Sequence, residues 1–183
     1  MTLAVRALAV GILVALPWHA WTKPKDRRAE MLWTCHLCAL LVAAGILLAL
    51  PLLVGAGFLF HAAIGVPSQL ADYVVTRKTS FTSVLVHVLP VAAGGLALGG
   101  AALPRGSVAL ASAVAAAMIA AAWRLTPPAL NVNLAHAPWP PLARVRFLWS
   151  RPVWWAVNLS IIAAGLALGD WLWSWTWWLA GRP

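Results

Sequence analysis

From Met31 to Ala71 the chain carries no Asp, Glu, Lys or Arg. A charge-free run of that length is longer than one membrane crossing, which takes about 20 apolar residues. Pro51 divides it near its middle. The run therefore reads as two antiparallel spans joined by a tight turn, and that reading constrains the rest of the chain. The whole sequence of 183 residues is 63% hydrophobic and only 9% charged. A soluble domain would carry about a quarter charged residues.

The remaining apolar stretches complete an all-α polytopic transmembrane bundle, one domain over residues 1–183. Six spans are expected, at about 3–21, 31–50, 51–75, 81–103, 107–123 and 153–178. Residues 3–16 have the length of a signal-peptide core, but no small-x-small site precedes Trp18 and a basic loop follows. The segment is read as a retained first span. Gly65 and Pro67 interrupt the third span, so a kink is expected near Pro67.

The net charge of +9 would suggest nucleic acid in a soluble protein. Here the basic residues lie in short loops between apolar runs, so they report topology and no nucleic-acid partner is expected. With the loop 22–30 in the cytoplasm, Lys23, Lys25, Arg27, Arg28, Arg77, Lys78, Arg124, Arg144, Arg146 and Arg151 all fall on that side. Arg6, Arg105 and Arg182 fall outside, and so do both termini. The implied location is the bacterial inner membrane. Trp18, Trp21, Trp33, Trp123, Trp139, Trp149, Trp154 and Trp155 then form a cytoplasmic interfacial belt. Trp171, Trp173, Trp175, Trp177 and Trp178 form an outer one. Small residues in spans four and five, such as Gly94-Gly95 and Gly99-Gly100, suit close packing inside the bundle or against a membrane-protein partner or second copy.

Ionisable residues at membrane depth mark candidate sites. Cys35, His36 and Cys38 open the second span. At ~1.5 Å per residue, Cys38 lies roughly 10 Å below the cytoplasmic edge, and His87 of span four lies at nearly the same depth. Gln69 and Asp72 end the third span, His61 is near the midplane, and His19 closes the first span on the cytoplasmic side. Asn131, Asn133 and His136 lie in the proline-rich segment 126–141. Its five prolines forbid a regular helix, so it is read either as a re-entrant lid or as an interfacial loop.

Three chemistries compete. A Cys38 thiolate needs a base, which His87 supplies if Asp72 or an asparagine orients it. Cys-x-x-Cys suits dithiol exchange, though poorly in a reducing compartment. Cys35, His36 and Cys38 with a remote histidine form an alternative metal set. In a helix Cys35 and Cys38 share a face, while His36 points about 100° away.

The order His36-Leu37-Cys38, then Gly65 with Gln69 and Asp72, then Phe81 with His87, then Asn131 with Asn133 is similar to that of the YwaF-like bacterial integral membrane proteins. Their eukaryotic relatives include cysteine-dependent membrane phospholipid acyltransferases. The resemblance covers about residues 31–141. It implies a thioester at Cys38 with His87 as base, and lipids as acyl donor and acceptor. The leading expectation is a lipid acyltransferase or hydrolase. Its site would hold Cys38, His87 and Asp72 as catalytic residues, with Asn131, Asn133, His136, His61 and Gln69 around the substrate, and would need no cofactor. The alternatives are a non-enzymatic subunit of a larger membrane complex and a metal- or haem-binding redox membrane protein.

Overall fold

The computed structural model describes residues 1–179, apart from the side chains of Trp177 and Trp178. The expected belt positions of those two tryptophans and the expected side of Arg182 lie outside the described residues. Seven α-helices occur among the described residues: α1 (Leu3–Thr22), α2 (Thr34–Leu47), α3 (Pro51–Phe60), α4 (Val66–Thr76), α5 (Phe81–Leu98), α6 (Ser107–Leu125) and α7 (Arg151–Leu179). A π turn, His61–Gly65, joins α3 to α4. The described residues contain no strand. Five helical stretches are long and apolar enough to cross a membrane, counting Pro51–Thr76 as one. The count becomes six if the 3-10 helix Lys25–Leu32 and α2, bent by 60°, are taken as one span.

Local chemistry explains the element ends. Thr2 caps α1 through its hydroxyl, and Ser80 caps α5 in the same way. Gly99 takes the left-handed conformation (φ +58°) that stops α5 short of the expected end at residue 103. Pro67 cannot donate to the Ala63 carbonyl and its ring would press on it. The π turn just before it absorbs the conflict by pairing the Val66 N–H with the His61 carbonyl. The expected disturbance near Pro67 is thus a register change beginning at His61.

The second span is the element that departs most from expectation. Residues 31–33 do not join the helix; α2 starts at Thr34 and is 14 residues long. At ~1.5 Å per residue that is about 21 Å, shorter than a hydrocarbon core. The segment 126–141 packs against the start of α2. It is three short 3-10 turns packed into the bundle, with Val132 and Ala135 fully buried. Asn133 accepts hydrogen bonds at Oδ1 from the Thr34 N–H (2.7 Å) and hydroxyl (3.0 Å), and donates to the carbonyls of Leu32 and Met118. Trp154 and Trp155 donate their indole N–H groups to the carbonyls of Leu134 and Ala135. Backbone without helix periodicity is thus satisfied by side chains from the helices around it. This corrects one expectation: Trp154, only 3% exposed, is a packing residue rather than a belt anchor.

The tightest helix approaches occur at glycines. A Cβ on Gly57 would stand 2.5 Å from the Cys38 carbonyl oxygen, and one on Gly94 would stand 2.7 Å from Phe58 Cβ. These contacts lock α3 between α2 and α5, the small-residue packing expected where lipid supplies no hydrophobic drive.

Candidate functional site

Four of the five histidines enter the bundle from different elements: His19 from α1, His36 from α2, His61 from the π turn and His87 from α5. All four are buried, and His61 is 0% exposed. Their rings pair. His19 and His36 have centroids 5.3 Å apart, and His61 and His87 have centroids 6.1 Å apart in an edge-to-face arrangement. His87 thus belongs to the second pair, with His61.

The ring orientations have local causes. His61 Nδ1 donates to the Gly57 carbonyl at 3.0 Å, and His87 Nδ1 donates to the Ser83 carbonyl at 2.7 Å. Both acceptors lie one helical turn back on the same helix. A carbonyl can only accept, so in each neutral ring the proton sits on Nδ1 and Nε2 keeps a lone pair. His19 Nδ1 shares a proton with the Thr82 hydroxyl at 2.9 Å. Two ring nitrogens, His36 Nδ1 and His61 Nε2, are buried with no hydrogen-bond partner. Native interiors rarely leave such atoms unpaired, so each calls for an explanation.

Hydroxyls lead from this core to the basic end of the bundle. Thr82 contacts Thr22 and Ser80, while Ser83 donates to Gln69, which donates to Thr79. Beside them Glu30, 4% exposed, is ion-paired with both Lys23 and Arg27. The carboxylate nearest the histidines by sequence and packing is therefore already committed to two cations.

No family model, curated protein or solved structure matches this chain. The site is therefore read from its own geometry.

The structure separates several residues that the sequence reading grouped. Cys38 is fully buried in a cluster that includes Ala56, Leu59, Ala111, Ala115 and Leu166 of α3, α6 and α7, and among the described residues no hydrogen bond joins it to His87. His87 faces His61 and Gly65 instead. Asp72 is exposed on α4 and does not orient His87, whose Nδ1 is held by Ser83. The metal set Cys35, His36 and Cys38 is not assembled. Among the described residues no three His, Cys, Asp or Glu side chains converge on one point. Helix geometry is the reason: the two cysteines turn toward α3 and α6 while His36 turns toward His19 on α1.

Asn131, Asn133 and His136 are also placed structurally. Asn131 holds the turn at residues 136–137 through its side chain, and His136 stands beside the Thr126 hydroxyl at 3.4 Å. Gln69 belongs to the polar path and His61 to the core itself. The sequence reading placed His19 on this side without giving it a role, and missed Gly57, Ser83 and Thr82, which orient the rings. No local signal marked Gly57 or Ser83, since the acceptors are backbone carbonyls that every residue carries.

Proposed function

We propose that this is a multi-pass protein of the bacterial inner membrane that binds a transition-metal ion in its histidine core. The basic end faces the cytoplasm, both termini face outward, and the segment 126–141 dips into the membrane from the cytoplasmic side. The placement of the ten cytoplasmic-side cations named above supports this orientation. The observation that carries the metal reading is the fully buried His61 Nε2, which has a lone pair, no hydrogen-bond donor and a second histidine beside it. Neutral imidazole with its other nitrogen held by a carbonyl is the form in which histidine ligates metals. The metal belongs to the class that imidazole favours: copper, zinc, iron or nickel.

Elemental analysis of the full-length chain, purified in detergent without chelator, tests the reading. The expected result is close to one transition-metal ion per chain, lost in His61→Leu and kept in His136→Leu, whose histidine lies outside the core. A metal-free protein that takes up no ion on reconstitution would remove the reading. Reporter fusions at the two termini test the orientation, and an active cytoplasmic reporter at either end would overturn it.

A further inference from the structure

At the end of the bundle opposite the basic loops, the start of α6 and the later turns of α7 border a cavity of about 520 Å³. Arg105 and Asp170 both line it. We infer that this cavity holds one zwitterionic phospholipid by its headgroup, with the phosphate on Arg105 and the primary ammonium of an ethanolamine group on Asp170. The inference is independent of the metal reading, because no histidine lines the cavity.

Charge is scarce at this end. Among the described residues its only charged side chains are Arg6, Arg105 and Asp170, and the last two wall one cavity. They do not pair with each other. Among the described residues neither the guanidinium of Arg105 nor the carboxylate of Asp170 has an ion-pair or hydrogen-bond partner. Ser174 donates to the backbone carbonyl of Asp170, not to its carboxylate. Asp170 is also half-buried. A carboxylate removed from water is costly unless a counter-charge reaches it. Two opposite charges that face one space without touching are matched by a ligand that itself carries both.

Position makes that ligand a lipid. From Arg151 to Asp170, α7 rises about 28 Å at ~1.5 Å per residue, close to the ~30 Å of a hydrocarbon core. The cavity therefore lies at headgroup level. Trp171 and Trp175, exposed on the same stretch of α7, have the amphipathic character of that level. Leu103 and Val108 add apolar lining suited to the glycerol backbone and first acyl carbons. The two walls are tied together: Trp173 of α7 donates its indole N–H to the Ala101 carbonyl at 2.8 Å and packs edge-to-face on Phe58 at 4.8 Å.

The same charges select among headgroups. Arginine takes a phosphate through paired N–H donors. An ethanolamine ammonium keeps N–H donors for the Asp170 carboxylate, whereas a choline group has none. A glycerol headgroup carries no cation, so its lipid would bring a net negative charge to Asp170 and leave that carboxylate unmatched.

The test is native mass spectrometry of the purified full-length protein offered an equal mixture of phosphatidylethanolamine, phosphatidylcholine and phosphatidylglycerol. The expected result is one firmly held lipid per chain. Phosphatidylethanolamine should be preferred about tenfold, the scale of one charge-assisted hydrogen bond. Asp170→Asn should remove most of the preference over phosphatidylcholine. Arg105→Gln should weaken all three lipids, and Arg105→Lys should weaken them less. Arg6→Gln, which removes a cation of this end from outside the cavity, should change nothing. The preference of the unsubstituted protein decides the matter even where a variant does not fold. Equal binding of the three lipids, or a preference for phosphatidylglycerol, would overturn the proposal, and so would an ethanolamine preference that survives Asp170→Asn. Displacement of the lipid by an equal concentration of water-soluble glycerophosphoethanolamine would overturn the assignment to a lipid.

Discussion

Asn133 closes the start of a helix ninety-nine residues before it in the chain. Its Oδ1 accepts both the backbone N–H and the hydroxyl of Thr34, and its Nδ2 donates to the carbonyls of Leu32 and Met118. The first turn of α2 lacks intrahelical partners for its N–H groups, and Trp33 before it offers no side-chain cap. Asn133 provides the cap in trans, and its own carbonyl is in turn held by Asn158 of α7. One side chain thus ties α2, α6 and the segment 126–141 together at the end of the bundle where the histidines enter.

Asn133→Ala removes four hydrogen bonds and leaves buried partners unmatched. At about 1–3 kcal/mol for a buried unsatisfied group, the expected loss is roughly 2–4 kcal/mol, since some partners will reach water. Asn133→Asp keeps the acceptor for Thr34 but turns the Leu32 and Met118 carbonyls toward a carboxylate, so it should be no milder. Thermal unfolding in detergent checks both. A midpoint within a degree of the unsubstituted protein would show that the segment is not held by Asn133.

Trp154→Phe keeps most of the buried ring but removes the N–H that the Leu134 carbonyl accepts at 2.6 Å. The expected cost is about 1 kcal/mol, with a larger effect locally than globally. Limited proteolysis within residues 126–150 should accelerate severalfold while cleavage of the loop 76–80 is unchanged. Equal acceleration at both places would mean that Trp154 supports the bundle as a whole rather than this segment.

The outline of the bundle was legible in the sequence and the site was not, for physical reasons. Span positions follow from apolar length, and those for α1, α5, α6 and α7 fall within a few residues of expectation except at Gly99, where a left-handed glycine ends α5 early. That His61 and His87 lie inside apolar helical stretches was legible, and both are buried. Which neighbour each side chain meets was not. Helical spacing places His36 about 100° from Cys35, but only the packing of α1 on one side and of α3 and α6 on the other decides that His36 meets His19 while the cysteines meet alanines and leucines. Between Cys38 and His87, expected at matched depth, no hydrogen bond forms among the described residues. The role of Asn133 was hidden for the same reason: a cap supplied from elsewhere in the chain leaves no mark in local spacing.

The two cysteines are expected to be chemically silent in the folded protein. Cys38 is 0% exposed, Cys35 is 9% exposed, and both are free thiols within an apolar cluster. Maleimide labelling in mild detergent should be slow for both and become rapid on unfolding in a strong denaturing detergent. Cys38→Ala should cost about 1 kcal/mol, the scale for deleting one buried group of this size. Rapid labelling of Cys38 in the folded protein would show an accessible thiol and return the acyl-transfer expectation to the leading place.

Gly57→Ala should be the most damaging single substitution in the bundle. The added methyl would lie 2.5 Å from the Cys38 carbonyl oxygen and 2.7 Å from a Val42 methyl, and the first of these is backbone that cannot rotate away. Overpacking of this kind costs about 1–3 kcal/mol when side chains can adjust, and more is expected where a helix must move. Separating α3 from α2 also shifts the carbonyl that holds His61 Nδ1. The variant should therefore lose stability and metal together, whereas Gly11→Ala, with nothing within 4 Å of the new carbon, should lose neither. Unfolding midpoints and bound metal measured on the two variants side by side check this. A stable Gly57→Ala protein with full metal content would show that the close approach of α2 and α3 does not position the histidine core.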